Sequence, residues 1–317
     1  MEMSIFYILI GFVLLVLGGG YLVKSSVGLS FKFNLSKMII GMTVVSFATS
    51  APELIVSLSA ALNGSTDMAL SNVIGSNVAN IALVLGVTSL ISAISVDKSF
   101  FKMNWPVMMF FSFILFWFLK NDLLLSSVEG IVLFALLIIF IVYMIWDAKN
   151  NKEVISVDDE VDDELAKAGY GKIFVWLGLG AVALYFGSDF LVKGAKDIAS
   201  SLGVSEGVIG LTVVAIGTSV PELAASIIAA LKGEKAISLG NLIGSNIFNI
   251  GSVLGLTAII SPLKVNPLVL QNDIYWMLGV AFILLPISFI PKKYQIGKLK
   301  GSMLFIGYTV FIYLAFV

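Results

Sequence analysis

The sequence predicts an all-α polytopic membrane protein, with ten transmembrane helices as two inverted five-helix repeats and broken helices at the midplane. Three observations predict it. Hydrophobic residues make up 59% of the 317 and charged residues 12%, against about 45–50% and about 25% in a soluble domain. Ten apolar runs are long enough to cross about 30 Å of hydrocarbon. One thirteen-residue stretch occurs twice, once in each half.

The apolar runs fall at 4–24, 35–62, 67–94, 104–120 and 126–147, then at 172–194, 204–231, 236–261, 270–290 and 299–317. The first lacks a basic leader and a clear cleavage site, so it reads as a retained helix rather than a signal peptide. These runs define a first repeat at 1–147, a linker at 148–171 and a second repeat at 172–317. The linker carries Asp158-Asp-Glu160 and Asp162-Asp-Glu164 and reads as a solvated connector. Five spans per repeat is an odd number, so the second repeat must enter the membrane from the opposite side. Lysine placement agrees. With the N-terminus outside, inward loops hold fifteen of the nineteen lysines, and only Lys120, Lys193, Lys196 and Lys264 lie outside. Positive charge concentrates on the cytoplasmic side of membrane proteins. Both termini are therefore expected outside, and the linker in the cytoplasm.

The repeated stretch is Gly41-Met-Thr-Val-Val-Ser-Phe-Ala-Thr-Ser-Ala-Pro-Glu53, matched by Gly210-Leu-Thr-Val-Val-Ala-Ile-Gly-Thr-Ser-Val-Pro-Glu222; eight of the thirteen positions are identical. A second pair follows: Asn72-Val-Ile-Gly-Ser-Asn-Val-Ala-Asn80 and Asn241-Leu-Ile-Gly-Ser-Asn-Ile-Phe-Asn249. The offset is 169 residues in both. Gly18 to Lys24 aligns at the same offset with Gly187 to Lys193, where Asp189 has only Gly20 opposite it. Asp189 therefore reads as an interfacial charge paired with Lys193.

Each copy places a carboxylate in an apolar run just after Pro, where a charge is expensive and the helical ladder is broken. Matched interruptions in two halves mark a midplane binding site of a secondary transporter. In a helix, residues four apart share a face, which pairs Thr49 with Glu53, Thr218 with Glu222, Ser76 with Asn80 and Ser245 with Asn249. The resulting chemistry is oxygen only: carboxylates, hydroxyls, amide carbonyls and carbonyls freed at the breaks. With no Cys, His or Arg in the chain, zinc sites, disulfides and Ser-His or Cys-His catalysis are excluded, and an enzyme is not expected. Oxygen ligands suit hard cations, Ca²⁺ or Na⁺. Two carboxylates in a low-dielectric site repel, so the site takes one divalent ion, several monovalent ions or a proton. Ca²⁺ and Na⁺ are thus expected to compete for one set of oxygens, without any cofactor.

Packing also accounts for many of these residues. Gly41, Gly75, Gly210 and Gly244 read as helix-packing glycines. Thr43 and Thr212, about two turns from each Glu, read as structural. Asn72, Asn241, Asn77 and Asn246 fit either role. For Glu53 and Glu222, which have no basic residue nearby in their own spans, ion binding is the reading.

The paired motifs resemble the α-repeats of the sodium/calcium exchangers in the Ca²⁺/cation antiporter superfamily, across the whole ten-span layout. The resemblance implies an electrogenic antiporter working by alternating access, with its site among the second, third, seventh and eighth helices. It implies as ligands Glu53, Glu222, Thr49, Thr218, Ser50, Ser219, Ser76, Ser245, Asn80 and Asn249, with backbone carbonyls near Ser46 and Ala215. It also implies that the first and sixth helices slide against the rest. Three departures stand out. Ala48 replaces the Gly that Gly217 keeps, so the first break is expected to be stiffer. Asn249 stands where K⁺-dependent relatives have Asp, which argues against K⁺ cotransport. The linker is too short for the Ca²⁺-sensing domain of animal exchangers. The alternative on the same fold is H⁺-coupled Ca²⁺ antiport. Expected partners are Ca²⁺, Na⁺ and the lipid bilayer, with no nucleic acid and no obligate protein partner, a monomer sufficing. The expected location is the cytoplasmic membrane of a prokaryote.

Overall fold

The computed structural model describes residues 2–150, 165, 167–203, 215–267, 269–290 and 292–316. The first five helices are α1 (Glu2–Phe33), α2 (Lys37–Leu62), α3 (Thr66–Ile91), α4 (Phe100–Asp122) and α5 (Ser127–Asn150). The second five are α6 (Tyr170–Ser201), α7 (Val220–Leu231), α8 (Lys235–Ile260), α9 (Val269–Phe289) and α10 (Lys298–Phe316). Among the described residues, eight of these are long and apolar enough to cross a membrane; α7 is a shorter apolar helix and α10 has 19 residues. The chain is thus an all-α polytopic membrane protein. The acidic run Asp158 to Glu164 and the segment Gly210 to Val214, with Thr212, lie outside the described residues.

α1 runs nine residues past its predicted end. Polar Ser25, Ser26 and Ser30 close the apolar run, yet their hydroxyls donate to the carbonyls of Leu22, Leu22 and Val27 at 2.7–2.9 Å. A serine that bonds back to the preceding turn stays helical without water. The helix stops only where Asn34 turns left-handed, at φ 53. Its counterpart in the second repeat, Gly203, ends α6 at φ 81.

The duplication is visible in local structure. Helices tighten or widen at matched places, with π-helical turns at Ala79–Leu85 and Asn249–Leu254 and again at Phe100–Asn104 and Val269–Asp273. A further π turn covers Gly41–Val45. Such turns insert a residue and shift carbonyls out of register, frequently at functional sites.

Two compact units make up the chain: Met1–Thr49 with Met144–Asn241, and Ser50–Tyr143 with Leu242–Val317. These are not the sequence repeats, because each takes in pieces of both. In the first unit α1 packs on α6 through glycines. A Cβ at Gly18 would sit 2.8 Å from Leu184 N, and one at Gly180 would sit 2.8 Å from Leu22 N. Small residues let membrane helices approach this closely, where lipid supplies no hydrophobic drive. Leu22, Val27, Val45, Leu184, Ala225 and Ala229 form this unit's core. Lys37 reaches both carboxylate oxygens of Glu234 at 2.9 Å.

In the second unit the repeats exchange short strands. β1 (Ile94–Ser95) pairs antiparallel with β4 (Gln295–Ile296), and β2 (Leu124–Leu125) with β3 (Leu263–Lys264), in the registers Ile94↔Ile296 and Leu125↔Leu263. Each ribbon joins one repeat to the other. Lys300 is buried, and its ammonium donates to the carbonyls of Lys292 and Gln295 at 2.5 and 2.6 Å. Helices α3 and α10 cross at Gly86 and Gly301, and α5 crosses α8 at the corresponding Gly130 and Gly255.

α10 offers a controlled test of this packing. A Cβ at Gly301 would meet Ser89 Oγ at 2.6 Å and Gly86 O at 2.7 Å, whereas nothing lies within 4 Å of one at Gly307. Gly301→Ala should destabilise by about 1–3 kcal/mol through overpacking. Gly307→Ala should be neutral or stabilising by up to about 1 kcal/mol, from helix propensity. Thermal unfolding in detergent distinguishes them, and equal melting temperatures would contradict the crossing.

Candidate functional site

The sequence-predicted site residues divide evenly between the units. Ser46, Thr49, Ala215, Thr218, Ser219 and Glu222 belong to the first; Ser50, Glu53, Ser76, Asn80, Ser245 and Asn249 belong to the second.

In the first unit, Ser36 caps α2, accepting from Ile39 N at 3.4 Å, and the π turn at Gly41–Val45 follows within a turn. The turn brings the Ser46 hydroxyl to 2.9 Å from the carbonyls of both Gly41 and Asn241. Thr43 bonds back to Ile39 O at 2.7 Å, a structural role. Thr49 Oγ1 donates to Asn241 Oδ1 at 3.1 Å, and Asn241 Nδ2 donates to Ser226 Oγ at 3.1 Å. The same hydroxyl lies 3.4 Å from the Ser46 carbonyl. Asn241, which fits either role by sequence, is here a support. Gly41 packs as expected, since a Cβ there would sit 2.7 Å from Ile237 O.

The second copy of the motif is built differently from the first. One helical turn, Ala215–Gly217, gives way to irregular backbone at Thr218 and Ser219 before α7 begins at Val220. In the first copy the helix is continuous from Ser46 to Leu62, with Pro52 inside it. Among the five positions that differ between the copies is Ala48 against Gly217. A Cβ on Gly217 would overlap the Val192 side chain, and its carbonyl accepts from Ser188 Oγ at 2.7 Å. Glycine is required there for close packing against α6.

Glu222 sits in the first turn of α7 and is fully buried. Ser219 occupies the N-cap position yet makes no capping bond, and its buried hydroxyl has no hydrogen-bond partner among the described residues. A serine at this position ordinarily caps. Its oxygen is left available.

In the second unit all six site residues are buried, with Glu53, Asn80, Ser245 and Asn249 at 0% exposure. Asn72 Nδ2 donates to Ser57 Oγ at 3.0 Å, repeating the Asn241–Ser226 bond of the other unit. Asn72 is thereby also a support. Both amide atoms of Asn80, and Oδ1 of Asn249, lack hydrogen-bond partners among the described residues. Buried amides are seldom left so, and amide carbonyls are among the oxygen types that hard cations take. Gly75 differs from its expected packing role. Nothing lies within 4 Å of a Cβ there.

Sequence reasoning missed Ser57 and Ser226. They follow Glu53 and Glu222 by four residues and share the 169-residue offset, a signal sufficient to find them. It also mispaired Asp189, which is exposed, while the Lys193 ammonium lies 4.6 Å from the Tyr7 ring centroid. The aromatic face of Tyr7 attracts the cation, and among the described residues no ion pair joins Lys193 to Asp189.

Long apolar helices and two fully buried carboxylates are the features of a multi-pass membrane protein that handles ions. The chain matches the family described as "Sodium/calcium exchanger protein" over residues 3–146 and 172–317. It is 31% identical to the sodium/calcium exchanger MaX1 of Methanosarcina acetivorans, covering 98% of this chain and 97% of that one. It is 35% identical to the inner membrane protein YrbG of Escherichia coli, over 96% and 94%. Among solved structures it resembles the sodium-calcium exchanger NCX_Mj from crystals soaked with Na⁺ and Sr²⁺, at TM-score 0.81 and 32% identity over 98% of each chain. The chain belongs to the sodium/calcium exchanger family, and it is a cation-exchanging membrane protein.

Asn241 tests the first unit's network. Asn241→Ala removes one acceptor for Thr49 and the donor to Ser226, and a buried polar group that loses its partner costs about 1–3 kcal/mol. The expected result is a clear fall in melting temperature in detergent; an unchanged value would show that Asn241 supports neither hydroxyl.

Proposed function

We propose that the chain is a Na⁺/Ca²⁺ antiporter in which Glu53 and Glu222 carry the negative charge that the transported cations neutralise. One observation carries the reading: both carboxylates are fully buried, at equivalent positions of two repeats, in an otherwise apolar chain. Moving a carboxylate into low dielectric costs several kcal/mol even after relaxation. A Ca²⁺ ion offsets two such charges; Na⁺ ions do so severally, and protons do so by neutralisation. Loads that neutralise the same pair exclude one another, which couples their fluxes in opposite directions.

The remaining ligands are the oxygens of Thr49, Thr218, Ser50, Ser219, Ser76, Ser245, Asn80 and Asn249, with backbone carbonyls near Ser46 and Ala215. The partnerless Ser219 hydroxyl and Asn80 amide support this set. The glycine-lined crossing of α1 and α6, helices of 32 residues each, suits a pair that moves as one body. In the cell the protein is placed in a prokaryotic cytoplasmic membrane with both termini outside, on the lysine distribution, and it functions as a monomer. The odd number of spans per repeat makes the repeats an inverted pair. Na⁺ rather than H⁺ is assigned as the coupling ion from the exchangers it resembles, MaX1 and NCX_Mj.

Glu53→Gln and Glu222→Gln keep the side-chain shape and remove the charge. Loss of a buried charge partner is worth about 3–5 kcal/mol, so each variant should lose Ca²⁺ uptake by about a hundredfold or more while remaining monodisperse in detergent. The measurement is radiolabelled Ca²⁺ uptake into Na⁺-loaded proteoliposomes. Uptake near the unsubstituted rate in both variants would remove the two carboxylates from the site.

A further inference from the structure

Asn77 and Asn246 occupy equivalent places in the two repeats, and their sulfur contacts match: Asn77 Nδ2 lies 3.6 Å from Met277 Sδ, and Asn246 Nδ2 lies 3.8 Å from Met108 Sδ. Their remaining bonds do not match. Asn77 Nδ2 donates to the Asn246 carbonyl at 3.3 Å. A carbonyl only accepts, so this contact fixes which end of the Asn77 amide is nitrogen and where Oδ1 must lie. That oxygen receives Asn249 Nδ2 at 3.1 Å. The nitrogen of Asn249 is thereby committed and its Oδ1 turned the other way, where it has no hydrogen-bond partner among the described residues. The corresponding bond, from Asn80 to Asn246, is not made. Asn246 Oδ1 and both amide atoms of Asn80 are without partners there, although Asn80 is 0% exposed and Asn246 2%.

We propose that Asn77 is a positioning residue for cation exchange, pinning the Asn249 amide in the one orientation that presents Oδ1 to a cation. Asn80, its counterpart in the first repeat, is not pinned. The two asparagine ligands are therefore unequal although both motifs carry the same asparagines. A primary amide offers an oxygen from one end and two N–H groups from the other, and the reversed orientation repels a cation. Outer partners that fix a ligand's orientation are worth about 10–100-fold in metal affinity. The inference rests on the functional reading above, in which Asn249 is a ligand.

The test exploits the symmetry of a carboxylate, both of whose oxygens accept, so that no orientation of it is wrong. Asn77→Ala should raise the KM for Ca²⁺ about tenfold, the lower end of that range, with kcat little changed. Asn246→Ala, which keeps the backbone carbonyl that Asn77 needs, should change KM by less than about threefold, below the range for an orienting partner. In an Asn249→Asp background, Asn77→Ala should leave KM unchanged. A role for Asn77 in folding alone would not be rescued this way. An unchanged KM in Asn77→Ala, an equal rise in both backgrounds, or a tenfold rise in Asn246→Ala would each overturn the assignment. Should Asn77→Ala fail to elute as a monodisperse protein, Asn77→Ser, too short to reach Asn249, takes its place with the same expected ratios. Equilibrium dialysis with radiolabelled Ca²⁺ gives Kd for the same variants. Absent Na⁺-driven transport with these Kd ratios intact would refute the antiport reading and leave the positioning role standing. Transport with the ratios absent would do the reverse.

Discussion

Two carboxylates held out of water set the terms for this molecule. Glu53 and Glu222 are fully buried in a chain that is 59% hydrophobic, and a bare charge in such surroundings is untenable without compensation. In the exchange proposed above, the transported cations supply that compensation. Serines, threonines and asparagines cluster in the same helical segments, and those that touch a neighbour mostly donate to it. Thr49 gives its proton to Asn241, and Asn249 gives its Nδ2 to Asn77.

Irregular backbone in lipid-embedded helices is costly unless buried in protein. The π turns at Gly41–Val45, Ala79–Leu85 and Asn249–Leu254 adjoin or contain the proposed ligands Ser46, Asn80 and Asn249. All residues of the second and third turns are buried, as are Gly41, Met42 and Val45 of the first. Glycines make that enclosure possible. Gly41 fits against Ile237, and Gly217 against Val192. Packing and ion chemistry thus draw on the same motif residues for different reasons.

Much of this was legible in the sequence. Nine apolar runs correspond to helices, and of the run at 204–231 the described part holds α7; the 169-residue offset also relates the bonds Asn72–Ser57 and Asn241–Ser226, which sequence reasoning missed. Helix ends were less legible, because Ser25, Ser26 and Ser30 read as polar termination while satisfying themselves within α1. Composition alone gives no sign of the unequal building of the two Glu motifs, continuous at Ala48 and interrupted after Gly217. Neither does it show that Gly75 packs against nothing. Identical motif residues acquire different roles from tertiary neighbours, as Asn77 and Asn246 do.

The most direct test of the central claim is Ca²⁺ uptake into proteoliposomes loaded with Na⁺, K⁺ or choline at equal pH on both sides. The account predicts uptake from Na⁺-loaded vesicles only. An electrogenic cycle moving one net charge gains about 2.3 kcal/mol per 100 mV, so the same uptake should respond to an imposed membrane potential. Equal uptake from all three vesicle populations would contradict Na⁺ coupling.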